Sequence, residues 1–418
     1  MEFEIMDKED NMKKSLLIGT AALLLISAQT LIHPITVTAS SQVTNPNITS
    51  SGNDNGSNRA TAQKVLDISG HWAEHSIMQA INKGYVEGYP DGNFLPNKNV
   101  SRAEFVKMTI SALGIEVQES NGKWYESYVH AAEAAGIYKA GDLEDTNWTK
   151  TLTREEMSKM AVRALGIDQV EEKQWMYLAT KNGIMSGTAP GELTPKGSTT
   201  RAQAITVIER LLSAKKGNKL AVDKYAVAAA EMYWHKTNIF TVAEEIFNSP
   251  ENEKYKYAKL GINSWSVDKL TVSAPNKSVV GQVNSLTAID WNDPKDPNRK
   301  LLPSKGKLVW EVGGKQRKLT EDMKAYLILL DSKLVVNEKP KSYPINRLSL
   351  SIVGYSGEFT GFNQAIALKS LDPKKQIYGL VIPKMNFKTN GELYIFVETM
   401  PLNAPLHRNK LSTSALTR

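Results

Sequence analysis

Apolar residues recur at helical spacing in three separate stretches of the chain. Phe105, Met108, Ala112 and Leu113 form the first stripe; Met157, Met160, Ala161, Ala164 and Leu165 the second; Ala204, Val207, Ile208, Leu211 and Leu212 the third. One stripe per helix predicts three helices that meet in a shared bundle core. A shorter amphipathic helix should precede each of them. In "HWAEHSIMQAINKGYV" it turns Ala80 and Ile81 inward and stops at Gly84. The connector "GYPDGNFLPNKN" offers Pro90, Asp91 and Gly92 for a type I turn.

Past Lys215 the pattern changes. "KLAVDKYAVAAAEMYWHK" and "FTVAEEIF" still read as helices. "DKLTVSA", "KLVWEV", "AYLILL", "KLVVNE", "RLSLSIV", "QIYGLVI" and "GELYIFVE" then predict strands, being short and rich in Val, Ile, Leu and Tyr between Gly, Pro or Asn turns. "DSK", Asp331 to Lys333, reads as a tight hairpin, and "DWNDPKDPNRKLLPSKG" as a long loop. The expected fold class is α + β and multidomain. An all-α bundle of helix–loop–helix repeats precedes a mainly β, sandwich-like or barrel-like domain with leading helices.

The repeats register on three arginines, Arg102, Arg154 and Arg201. Gly84, Gly136 and Gly183 each precede their arginine by the same interval, and Ala80, Ala132 and Ala179 precede those glycines. Trp72 and Trp124 share a column in which the third repeat has Glu171. The boundaries read from this register are 62–117, 118–168 and 169–213, with a helical connector at 214–250 and the β-rich domain at 251–418. Each arginine follows a good N-cap, Ser101, Thr153 or Thr200, with Glu104, Glu156 or Gln203 three residues after the cap. That is the pattern of a capping box. A cation at the first helical position is expected to face solvent beside the positive end of the helix dipole, disfavoured by roughly a few tenths of a kcal/mol. An anion held by exposed helical amides and a guanidinium fork would offset this. The alternative is that each arginine pairs with an acid of a neighbouring repeat.

"GYPDGNFLPNKNVSRAEFVKM", "WYESYVHAAEAAGIY", "LTREEMSKMAVRALGI" and the "NGIMSG" and "ELTPKGSTTRAQAITVI" stretches resemble three S-layer homology modules, over about Ala62 to Ser213. The resemblance implies a pseudo-three-fold trimer of repeats. It also implies non-covalent anchoring of a secreted protein to a secondary cell wall polysaccharide, commonly through a pyruvylated amino sugar. Carried over, Arg102, Arg154 and Arg201 are the anion contacts, and Asp67, Trp72 and Trp124 contact and stack on sugar. The second repeat has "GDLEDTNW" and the third "GTAPGEL" where the first has GYPDG, so the grooves need not be equally competent. An expected cell wall or S-layer location of the Gram-positive type follows.

Composition adds to this picture. The absence of cysteine excludes disulfide frameworks, thiolate metal sites and cysteine nucleophiles. Met12-Lys13-Lys14, the apolar run Leu16 to Ile26 and "VTA" before Ser40 predict a signal peptide over 1–39, with Met12 as the natural start. Residues 40–61 then read as a flexible linker. Residues 1–213 carry 20 basic and 25 acidic side chains, whereas 214–418 carry 31 and 19. A basic half in an exported chain points to an anionic wall polymer or membrane surface before nucleic acid, with plain solubilising charge as the bland alternative. No nucleic acid partner, no membrane insertion after signal cleavage and no cofactor are expected, and the C-terminal half is a candidate for self-association.

Catalysis is not expected. "GYSGE" lacks the second glycine of a nucleophile elbow, and Glu244 and Glu245 are adjacent in a helix and point apart. His71 and His75 have the spacing of metal ligands without a third and read as a surface pair, so no metal is expected. His235 reads as packed beside Trp234. The alternatives carried are a wall-tethered enzyme and a structural S-layer lattice protein.

Overall fold

The computed structural model describes residues 65–168, 170–247, 261–304, 306–312, 314–357, 366–384 and 387–413. The expected signal peptide and linker lie outside them. The chain is α + β. Helices fill its N-terminal half and antiparallel sheet most of the remainder.

Six helices alternate short and long: α1 (Glu74–Asn82), α2 (Arg102–Ala112), α3 (Glu126–Ala134), α4 (Arg154–Ala164), α5 (Gln174–Lys181) and α6 (Arg201–Lys215). α3 packs on α2, α5 on α4, and α1 on α6. The short helices behave as predicted. α1 buries Ile77 and Ala80, and Gly84 ends its turn at φ +75°. The Tyr89 carbonyl accepts from the Gly92 amide at 3.0 Å, closing the turn over Pro90 and Asp91.

The long helices depart from the one-stripe expectation. α2 buries Ala103, Val106, Thr109 and Ile110 as well as Phe105 and Met108, and α4 and α6 are covered on as many sides. Their buried hydroxyls bond within the helix. Thr109 Oγ1 donates to the Phe105 carbonyl and Thr206 Oγ1 to that of Ala202, both at 2.8 Å. A threonine satisfied in this way enters a core as readily as an apolar residue.

Backbone hydrogen bonds join the three capping segments. Val100 N–H donates to Thr199 O, Thr199 N–H to Leu152 O and Leu152 N–H to Val100 O, each at 2.9 Å. The three bonds close a ring.

α7 (Lys224–His235) lies on α5, and the short α8 (Ile239–Val242) and α9 (Glu244–Phe247) follow. The stretch "FTVAEEIF", expected as one helix, therefore breaks at Ala243. Asn238 then clamps the sheet. Its Nδ2 donates to Ala288 O at 3.0 Å, and its Oδ1 accepts from Ala288 N at 2.6 Å.

The strands are β1 (Thr271–Ser273), β2 (Val279–Asp290), β3 (Leu308–Val312), β4 (Lys315–Lys318), β5 (Ala325–Asn337), β6 (Ser349–Gly357), β7 (Ile366–Ser370), β8 (Tyr378–Pro383), β9 (Phe387–Glu398) and β10 (Arg408–Thr413). Seven form one antiparallel sheet in the order β1-β2-β5-β8-β7-β3-β4, and β10-β9-β6 form another. Alternation along β5 covers both faces of the larger sheet. Tyr326, Ile328 and Leu330 enter a cluster shared with Leu393, Ile395 and Val397 of β9, while Ala325, Leu327 and Leu329 enter a second cluster with Trp291 and Trp310. The expected hairpin at Asp331–Lys333 is absent. β5 runs straight through it, paired with β2, whose register shifts between Val283 and Ser285.

Candidate functional site

All three capping boxes form. The Ser101, Thr153 and Thr200 hydroxyls accept from the amides of Glu104, Glu156 and Gln203, whose side chains accept in return from the cap amides. The amides beyond the caps are not free, contrary to the expectation of an exposed anion cradle. Arg102 N–H donates to Lys150 O, Arg154 N–H to Gly197 O and Arg201 N–H to Lys98 O, at 2.8–3.0 Å. Neighbouring loops thus satisfy the helix ends.

The arginines are also not at the surface. Arg102, Arg154 and Arg201 are only 1%, 4% and 7% exposed, because the helices that carry them are enclosed on nearly every side. Each reaches across to another repeat. Arg154 Nε donates to Leu193 O at 2.8 Å and its Nη2 to Ser186 O at 2.7 Å. Arg201 repeats the arrangement on the equivalent carbonyls, Phe94 O at 3.0 Å and Glu87 O at 3.1 Å, and lies over the Phe94 and Tyr89 rings.

Arg102 differs. Its Nη1 meets Asp145 Oδ1 at 2.6 Å and its Nη2 meets Glu156 Oε1 at 2.5 Å. Burial alone would lower the Arg102 pKa, but the two carboxylate bonds outweigh it and the net shift is upward. Lys150, the Asn147 amide and Arg102 hold Asp145 well below the usual carboxylate range. The acid-pairing alternative therefore describes Arg102, and carbonyl acceptors replace the acids at Arg154 and Arg201.

A cavity of about 350 Å³ lies beside Arg154. Trp72 from the first repeat, Ser186, Gly187 and Thr188 from the third, and Gln203 and Arg210 from α6 line it. Trp72 is 65% exposed and offers a ring face. Arg210 Nη1 donates to Ser186 Oγ at 2.9 Å. Among the described residues neither Arg154 nor Arg210 meets a carboxylate, and burial lowers the pKa of both. Two guanidinium groups without an acid beside an open cavity can take a carboxylate or phosphate.

The remaining expected residues divide. Trp124 is 56% exposed, with Lys107 Nζ 5.9 Å from its ring centre. In the matching column Glu171 is engaged by Trp234 Nε1 at 3.0 Å. Asp67 is absent from the cavity lining. It accepts from Phe94 N at 2.6 Å and Leu95 N at 2.8 Å, holding Leu95 at φ +56°. Of the histidines, His71 Nδ1 accepts from the Ala73 amide, and His235 stacks on Trp234 with its pKa lowered to about 4 by burial. Arg210 was not anticipated from the sequence. The signal was present in Arg163 and Arg210, which share a column nine residues after the motif arginine. Arg163 is tied to Asp142 and lies over Trp175.

Repeated arginine-bearing helical caps that clasp one another, joined to antiparallel sheet, define a repeat-built α + β protein. The S-layer homology domain family matches residues 66–106 and 174–205. The chain carries this domain, which implies cell-wall anchoring and marks a secreted, wall-associated protein. The region is similar to an amylopullulanase of Thermoanaerobacterium thermosulfurigenes, 32% identical over 36% of this chain and 10% of that protein. It is also similar to exoglucanase XynX of Acetivibrio thermocellus, 32% identical over 37% and 16%. S-layer protein EA1 of Bacillus anthracis is 29% identical over 38% and 21%. The chain thus spans between 10% and 21% of the length of these relatives.

Proposed function

We propose that the helical half tethers this protein to the cell wall by gripping an anionic, pyruvylated wall polysaccharide in grooves between repeats. The three repeats, 62–117, 118–168 and 169–213, stand about a pseudo-three-fold axis; the closed ring of capping-segment bonds supports that arrangement. The observation that carries the binding reading is the Arg154 and Arg210 pair, without a carboxylate partner, beside a cavity with the exposed Trp72 ring. The ketal carboxylate takes the guanidinium groups, and the sugar face takes the indole.

The grooves are unequal in this reading. The Arg154 groove bears an exposed tryptophan and, as at Arg201, no acid on the arginine, whereas Asp145 and Glu156 already fill the anion position at Arg102. The β-rich half is the displayed module and has no catalytic role here.

Arg210→Ala tests this. The residue is half-buried with a single hydrogen bond, so its loss should leave the thermal midpoint nearly unchanged. Sedimentation with isolated cell walls should weaken about tenfold or more. Chemical depyruvylation of the wall should remove binding by the unmodified chain. Undiminished sedimentation on such walls would reject the carboxylate account.

A further inference from the structure

A second cavity opens on the β-rich half, about 610 Å³ in volume and within the range of ligand sites. Three cations from separate segments converge on it. Lys300 comes from the 3-10 turn Pro297–Leu301, Arg347 from the loop before β6, and Lys375 from the loop before β8. Lys375 Nζ donates to the carbonyl oxygen of Lys300 at 2.5 Å, which holds the two lysines side by side. Arg347 lies over the Tyr378 ring, its Cζ 3.6 Å from the ring centre, and its Nη1 donates to the Leu348 carbonyl oxygen at 3.1 Å, so the guanidinium is fixed before any ligand arrives. Among the described residues none of the three has a carboxylate partner. The acid in the lining, Asp331, accepts instead from Asn284 Nδ2 at 3.2 Å.

Gathering like charges in a concave site raises their mutual repulsion and focuses a positive potential, and an anion relieves both. Hydroxyl and amide groups of β2, β5 and the flanking loops share the rest of the lining with apolar side chains, which suits a ligand with both hydroxyls and apolar ring faces. Leu301 and Ile345, each 39% exposed, offer apolar faces to sugar rings. Two adjoining lysines and an arginine, between walls that are part polar and part apolar, fit a chain of sugar rings that carries negative charge.

We propose that this cleft binds a stretch of acidic glycan, carboxylate- or phosphate-bearing, independently of the helical grooves. It would give the displayed half its own hold on an anionic polymer.

The test is calorimetric titration of the full chain at low ionic strength with three probes: hexagalacturonate, an oligomer of glycerol phosphate, and hexaglutamate. Binding of the first or second, and which of them, identifies the anion. Lys300→Ala with Lys375→Ala should weaken that binding about tenfold or more and leave the thermal midpoint in place, and Arg210→Ala should leave it intact. Equal binding of hexaglutamate would overturn the glycan assignment. Failure of both glycan probes, or unchanged affinity in the lysine variant, would overturn the site. If the lysine variant melts early, Arg347→Gln provides the second reading, with the same loss expected.

Discussion

Arg102 and Arg210 separate two tasks that one arginine motif might suggest are shared. Arg102 is an inter-repeat strut. Replacing it with Ala leaves the half-buried Glu156 without its cation and should destabilise the chain by about 2 kcal/mol. Differential scanning calorimetry would read this as a clear fall in thermal midpoint, while the wall affinity of protein still folded changes little. Arg210→Ala should do the reverse. The caps were legible in the sequence because Ser or Thr with Glu or Gln at the right spacing has few other uses. The burial was not. Thr109, Ser158 and Thr206 read as polar, yet each hydroxyl bonds a carbonyl of its own helix, so the face that looked solvated is core.

Among the elements, β2, β4, β7 and β10 were missed and β5 was cut in two. Gly281, Gln282, Asn284 and Ser285 interrupt the apolar run of β2, and Asp331-Ser332-Lys333 resembles a turn. The physical reason is a register shift in β2 opposite this triplet, where Asp331 and Lys333 are exposed and strand residues need not be apolar. The helices were easier, since a repeated stripe is self-confirming. In α7, Glu231 is fully buried, with Oε1 accepting from the Phe240 amide and no hydrogen-bond partner for Oε2 among the described residues. Burial raises its pKa from 4.5 to about 8. In the folded chain it therefore holds its proton at a pH where the unfolded chain has released it. Its stabilising proton is fully present below pH 4.5 and is lost as pH rises toward 8, at up to about 1.4 kcal/mol per pH unit. Glu231→Gln should flatten that decline. Thermal midpoints measured at pH 5 and pH 8 should differ less in the variant, and parallel profiles would exclude Glu231 as the cause.

For the whole molecule, closure matters more than any one repeat. α1 packs on α6, Tyr85 Oη donates to Glu209 Oε1 at 2.8 Å, and the Val100–Thr199–Leu152 ring draws on all three repeats. Deleting residues 65–113 should therefore abolish cooperative unfolding of the helical half rather than leave two working thirds. Circular dichroism melts would show a broad, low transition. Retention of a sharp transition and of proportionate wall binding would argue for independent units. The columns of Gly, Ala and Arg predict three units, and the resemblance implies that they assemble as a trimer. The bonds that close them were not readable, because hydrogen bonds between distant backbone segments leave no mark on residue type. A necklace of separate beads can be unthreaded one at a time by a tug on its tail. Here the first bead is fastened to the last, so tension entering through α7 must strain the whole fastening before any single link parts.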